Sequence, residues 1–272
     1  MNIVFVTIIA FSLSNHIRST HKATSFSISI TRTYGEPLIQ TQTHFTLKQL
    51  LNYTPKNTEE NGTYSTFQQN NTSSSVSTFS LQASIKVGEP PQIIFVVFDT
   101  GSSNVLISNS QCQLHTNDCP FKFGNFFPEN SNTHVYTDIT GEITFLCGRL
   151  KANVGRDTLR INGLKIEGQD IGEVYYQEGD CILKKGMVGG LLGLSPPEMK
   201  LKGTVSFLEN LLNSKQLERN IMSFYFPPLG TDEKGVLTFG SIDTDLVRGP
   251  IKYYKSIYPE YWSVNITKIM VT

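Results

Sequence analysis

The feature that most limits what this 272-residue chain can fold into is Ile93-Ile94-Phe95-Val96-Val97-Phe98-Asp99-Thr100-Gly101-Ser102-Ser103-Asn104. Six large apolar residues run without interruption, and four of them are β-branched. That predicts a strand covered on both faces. The strand ends in a carboxylate, and Gly101 provides a backbone able to turn where a Cβ would clash. A carboxylate at the end of an apolar strand costs several kcal/mol unless its oxygens are hydrogen-bonded, to an order of magnitude. Thr100, Ser102 and Ser103 surround it with hydroxyls. Asp99 is therefore the first candidate for chemistry.

Composition excludes several function classes. The net charge is zero and only 17% of residues are charged, with no basic cluster to form a nucleic-acid surface or a polybasic membrane patch. No glycine-rich loop leads into a helix, as cradling a phosphate would require. The five His are scattered, and His115 near Cys112 and Cys119 does not complete a zinc pattern, so no metal site is expected. Glycines fall mostly between strand-like runs, which predicts an all-β fold with many short turns.

Ahead of the motif the chain divides in two. Ile3 to Phe11 is almost wholly apolar, too short to span a bilayer, and followed by the small residues Ser12-Leu13-Ser14. We read residues 1–14 as a signal peptide in preference to a buried N-terminal strand, and no stable membrane span is expected. Residues 15–78 are dominated by Thr, Ser, Asn and Gln and cannot bury enough surface to fold alone. The charges before Glu36 are all basic (Arg18, Lys22 and Arg32), whereas Glu59 and Glu60 come later. Sequons at Asn52, Asn61, Asn71 and Asn265 agree with secretion.

The motif Phe98-Asp99-Thr100-Gly101-Ser102-Ser103-Asn104, preceded by Val87-Gly88-Glu89-Pro90-Pro91-Gln92, resembles the first active-site motif of the pepsin-like aspartic proteases. Further matches follow in that family's order: Phe127 to Thr133, Gly190-Leu191-Leu192-Gly193-Leu194, Phe239-Gly240-Ser241-Ile242-Asp243 and Tyr261-Trp262. The resemblance covers roughly Ser80 to Thr272. It implies that residues 79–272 hold the first, N-terminal lobe of the pepsin-like fold, a six-stranded-type β lobe with one short helix, and the start of the connection to a C-terminal lobe. It also implies that residues 15–78 are a propeptide; a glycosylated or disordered linker is the alternative.

The activity implied is hydrolysis of peptide bonds in extended polypeptide at acidic pH, with no metal or organic cofactor. Asp99 would be one of two aspartates, supported by Thr100, Gly101 and Ser102. The localisation implied is the secretory pathway, ending outside the cell or in an acidic vesicular, lysosome-like compartment. A small disulfide loop, Cys112 to Cys119, is common at this place in the family, which leaves Cys147 and Cys181 as a second pair. The flap that closes over substrate aligns with Ile143 to Asp157. Phe145 stands where a Tyr is expected, Leu146 where a Gly is usual, and Cys147 and Gly148 follow at the tip. The Trp that would bond the Tyr hydroxyl is replaced by Leu106, so both partners of that hydrogen bond have become apolar together.

The second catalytic aspartate is missing from the chain. Asp243-Thr244-Asp245 places Asp245 where a turn glycine is needed and has no buried apolar strand leading into it, so Asp243 is expected to be structural. Three readings stand: a truncated aspartic endopeptidase whose C-terminal lobe belongs to the same full-length chain, a half-enzyme pairing two copies of Asp99, and a catalytically inactive secreted lobe that binds peptide or protein. Locally, Ser206-Phe207-Leu208-Glu209 predicts a capping box opening a helix, and Ile221–Phe226 and Gly235–Gly240 predict strands.

Overall fold

The computed structural model describes residues 8–10, 26–35, 78–110, 112, 125–145, 148–179, 188–226, 235–247 and 249–266, with side chains from residue 81 onward. Eleven strands are present among these residues: β1 (Ile8–Ala10), β2 (Phe26–Gly35), β3 (Thr78–Val87), β4 (Gln92–Asp99), β5 (Val105–Ser108), β6 (Val135–Phe145), β7 (Gly148–Ile161), β8 (Leu164–Gly179), β9 (Gly190–Gly193), β10 (Ile221–Tyr225) and β11 (Gly235–Phe239). One helix, α1 (Phe207–Asn213), joins them. The fold is all-β, as expected.

The strands form one sheet in the order β1-β10-β11-β2-β3-β4-β9-β5-β8-β7-β6, and β3 also pairs with β7. That extra pairing, Lys86 with Arg160 and Val87 with Leu159, curls the sheet back on itself around a common core. The six-stranded type is enlarged because long hairpins and two strands from ahead of residue 78 join the same ladder. One of these, β2, lies within the polar segment: its Phe26–Ile30 half pairs with β11 and its Thr31–Gly35 half with β3. Within that segment, Phe26–Gly35 is thus held by backbone bonds to two neighbouring strands.

The β4 strand departs from expectation. Ile93 is 58% exposed and Phe95 48% exposed, while Ile94, Val96 and Phe98 are buried. Its first half therefore has one wet face. The second face becomes covered only toward Asp99, where Val97 packs against the cluster that contains Leu106, Leu150 and Leu191. A continuous apolar run reports hydrophobicity, but whether its outer face is covered depends on which distant side chains pack over it.

Ser206 caps α1 by accepting from the Glu209 amide at 3.2 Å, and Glu209 accepts in return from the Ser206 amide at 2.8 Å. Phe207 and Leu211 bury their side chains in the core, and Phe207 meets Phe239 edge to face at 5.7 Å between ring centres. Burial of two such side chains contributes roughly 1.5–3 kcal/mol each. Helix α1 thereby closes the end of the core that strands β10 and β11 leave open.

Candidate active site

Asp99 ends β4 and is only 7% exposed. Its Oδ1 accepts from the Gly101 amide at 2.9 Å. Its backbone carbonyl accepts from Leu194 at 2.7 Å, and the Ser102 carbonyl from Ser195 at 2.8 Å. Strand β9 lies between β4 and β5, parallel to the first and antiparallel to the second, so it passes directly beneath the Asp99 turn. A Cβ on Gly193 would stand 2.6 Å from the Ser102 carbonyl oxygen and 2.7 Å from the Asn104 nitrogen. Only glycine allows that approach.

Side chains brace the same turn. The Ser103 and Ser195 hydroxyls lie 2.6 Å apart, and Ser103 Oγ also donates to the Pro196 carbonyl at 2.5 Å. Asn104 Oδ1 accepts from the Leu201 amide at 3.0 Å. Trp262 donates from Nε1 to the Leu194 carbonyl at 2.7 Å, tying the segment after Gly249 back to this loop. The structure brings Asp99, Thr100, Gly101 and Ser102 into one turn, as the sequence predicts. The Ser103 hydroxyl, expected beside the Asp99 carboxylate, turns instead to Ser195 and Pro196, and the supports from Ser195 and Trp262 were not identified because their contacts join residues far apart in sequence.

Two polar atoms here have no partner. Asp99 Oδ2 and Ser102 Oγ are both buried and unbonded. Leaving a buried acceptor unsatisfied costs about 1–3 kcal/mol, and more when it is charged. None of the bonds that fix the turn reaches Oδ2, which is left for a group from outside.

The predicted flap is a hairpin of β6 and β7, with Phe145 paired to Gly148. Leu146 and Cys147 lie outside the described residues. Gly148 takes a φ of +148°, accessible chiefly to glycine. Phe145 packs against an apolar cluster that contains Leu106, Leu150, Ala152, Val174 and Leu191. The apolar replacements at Phe145 and Leu106 thus share one cluster. Across the outer surface Arg149 bonds Glu178 at 2.5 Å and Glu142 at 3.5 Å, and Lys151 lies 5.2 Å from the Tyr176 ring centre. Their mutual bonding pushes the Arg149 guanidinium up and the Glu178 carboxyl down from their ordinary values.

Cys112 is buried and disulfide-bonded. Its expected partner Cys119, and Cys181, lie outside the described residues. Asp243 is exposed and accepts from the Asp245 amide at 3.1 Å, opening the 3-10 turn Thr244–Leu246, which is the structural role expected of it.

An apolar strand ending in a backbone-held aspartate, a glycine strand threaded beneath it and a hairpin beside it form a composite that comparison with known proteins identifies. The sequence profile of the eukaryotic aspartyl protease family matches residues 80–272. The chain belongs to that family. It is 31% identical over 189 residues to pepsin-2B of Gadus morhua, covering 69% of this chain and 56% of that protein. It is 30% identical over 200 residues to cathepsin D of Canis lupus familiaris (69% of this chain, 48% of that protein). A pregnancy-associated glycoprotein of Equus caballus is 30% identical over 188 residues, again covering 69% of this chain and 47% of the relative. The chain spans about half the length of the curated relatives it matches.

Proposed function

We propose that this chain carries the first lobe of an aspartic-type endopeptidase, in which Asp99 and a second carboxylate share one proton. The observation that carries this reading is the buried, unpartnered Asp99 Oδ2 beside an Oδ1 that the Gly101 amide already holds. In the shared-proton state the ionised acid takes a proton from a water attacking the scissile carbonyl, while the protonated acid hydrogen-bonds the carbonyl oxygen. Two close carboxyl groups titrate as a pair, as is long established for this family. Family membership supports Asp99 in this role, with Thr100, Gly101 and Ser102 holding the turn.

The second acid comes from a C-terminal lobe of the full-length protein. Between residues 253 and 266, Tyr253, Tyr254, Ile257, Tyr258, Val264 and Ile266 are exposed and apolar, a surface suited to a further packed body. The substrate is extended polypeptide lying between the Asp99 turn and the hairpin, whose Phe145 and Gly148 border it near Cys147. Residues 1–14 act as a signal peptide. Their described part, β1, pairs through three residues with β10 at the end of the sheet, so its removal sacrifices only a short edge ladder. Residues 15–78 act as a zymogen segment, and β2 is the part of it held in the sheet. We assign Cys112 to a bridge with Cys119 and Cys147 to one with Cys181, both suited to a secretory route that ends outside the cell or in an acidic vesicle.

The test is hydrolysis of a peptide library by the full-length product across acid and neutral pH, beside an Asp99→Asn variant. We expect acid-favoured cleavage that falls by at least about 1,000-fold in the variant, as for loss of an essential proton-transfer group. Cleavage insensitive to the substitution overturns the assignment of Asp99. Tight peptide binding without cleavage at any pH favours the alternative, a catalytically inactive secreted peptide- or protein-binding lobe.

A further inference from the structure

Away from Asp99, the structure buries a second set of ionisable groups. His134 Nε2 lies 2.6 Å from Glu173 Oε1, and their side chains are 2% and 4% exposed. Glu173 Oε2 accepts from Asn109 Nδ2 at 3.1 Å. His134 immediately precedes β6, Glu173 sits on β8, and Asn109 follows β5. The three residues therefore join the root of the hairpin to the strands behind it. Gly155 on β7 makes the room: a Cβ there would come within 2.0 Å of Glu173 Oε1 and 2.3 Å of His134 Nε2.

We propose that the His134–Glu173 pair is a proton-held latch at the hairpin root, closed in acid and loosened as the medium approaches neutrality. The argument is one of charge count. With Glu173 ionised and the imidazole neutral, the pair is a buried negative charge. One further proton makes it neutral, whether that proton sits on oxygen or nitrogen. A buried net charge is costly, whereas a neutral hydrogen-bonded pair is not.

Among the described residues, the groups around the pair do not supply a compensating cation. From β7 it faces Asp157, whose charge adds to the repulsion and whose Oδ2 has no partner. From β6 the phenol of Tyr136 meets the His134 ring edge-on at 4.5 Å, and Phe126 lies 5.9 Å away on another side. Asn109 contributes a neutral donor. Arg156, the residue after Gly155, turns instead to Asp170 at 2.8 Å. Thr133, one residue earlier, donates to Asp157 Oδ1 at 2.5 Å, so the two anchors of the hairpin root are adjacent.

Burial raises the Glu173 carboxyl above its ordinary value of 4.5, against the opposing bonds from His134 and Asn109. A folded value above the unfolded one means that the native state binds the proton more tightly. The stabilisation is full below the unfolded value and is lost as pH rises through the folded one. The latch therefore weakens upward from the ordinary carboxylate range.

The experiment is a series of thermal melts of the full chain at pH values from about 4 to about 7, with Glu173→Gln alongside. Gln cannot ionise and keeps one acceptor oxygen, for His134, while its amide nitrogen takes the place of the oxygen that faces Asn109. We expect the midpoint of the unaltered chain to fall across this range, and the variant to lose at least ~3 °C of that fall. A variant that retains the full fall overturns the proposal. Should Glu173→Gln not fold, hydrogen exchange of the unaltered chain decides: amides at Val135 and Tyr136 should lose protection toward neutrality before those of β3 and β4. Uniform loss, or no loss, overturns the latch.

Discussion

The Asp99 turn and the β6–β7 hairpin are held by different kinds of bond. Around Asp99 the restraints are mainly backbone amides and carbonyls, Gly101 to Oδ1, Leu194 to the Asp99 carbonyl, Ser195 to the Ser102 carbonyl and Gly193 to Asn104, and the side chains that add to them, Ser103, Ser195 and Asn104, are buried. The hairpin has an edge strand of alternating exposure, and its restraints beyond the ladder are side chains: the Arg149–Glu178–Glu142 cluster outside, Phe145 inside and the His134–Glu173 pair at its root. Backbone bonds with no space between them hold the proposed reacting carboxylate to one position. Side-chain bonds can be released by salt, by a proton or by a bound substrate. The contrast explains how one lobe can hold a rigid reacting group and a movable cover.

The largest effect should come from attacking the backbone contact. Gly193→Ala places a methyl group 2.6 Å from backbone that cannot give way, and we expect loss of cooperative folding or destabilisation of at least ~4 kcal/mol, read from urea unfolding. Mild destabilisation would mean that the turn is more compliant than its hydrogen bonds imply. An intermediate effect should follow from rebuilding the side-chain contact beneath the hairpin. Leu106→Trp alone should cost about 1–3 kcal/mol by overpacking a fully buried site. Adding Phe145→Tyr should recover roughly 0.5–1.5 kcal/mol if the phenol and indole can bond. A double-mutant cycle measures this, and strict additivity would show that the two positions do not meet. The smallest effect belongs to the surface: Arg149→Ala should lower stability only slightly, and the loss should shrink as salt is added. A salt-insensitive loss would assign Arg149 to packing instead.

Much of the Asp99 side of this comparison was legible in the linear chain. The apolar run, the carboxylate and Gly101 are contiguous, and the geometry of a strand ending in a turn is local. The Ser206–Glu209 capping box was recognisable for the same reason, since its physical cause lies within a few residues, whereas Leu191-Leu192-Gly193 was legible only through the family resemblance, because its glycine is required by the distant Ser102–Asn104 backbone. Expectation failed where a neighbour in space decides the outcome. Ile93 and Phe95 belong to the same apolar run as Phe98, yet they face solvent because the apolar cluster on their face reaches β4 only at Val97. Phe26, Ile28 and Ile30 alternate with Ser27, Ser29 and Thr31, a strand signal hidden by the polarity of the segment around it, and β11 and β3 pair with that stretch.

The sequence by itself determined an all-β lobe of the aspartyl protease family, with Asp99 delivered by a strand, because those features rest on periodicity, a turn glycine and short motifs. Only the tertiary structure decided that Asp99 Oδ2 and Ser102 Oγ would be buried without partners and that Trp262 would reach back to Leu194. It also brought His134 and Glu173, 39 residues apart, into a dry contact beside a glycine that makes the space. The reason is physical: a residue's charge and hydrogen-bonding capacity are written in its identity, whereas their cost depends on how much water and which partners the folded chain leaves around it.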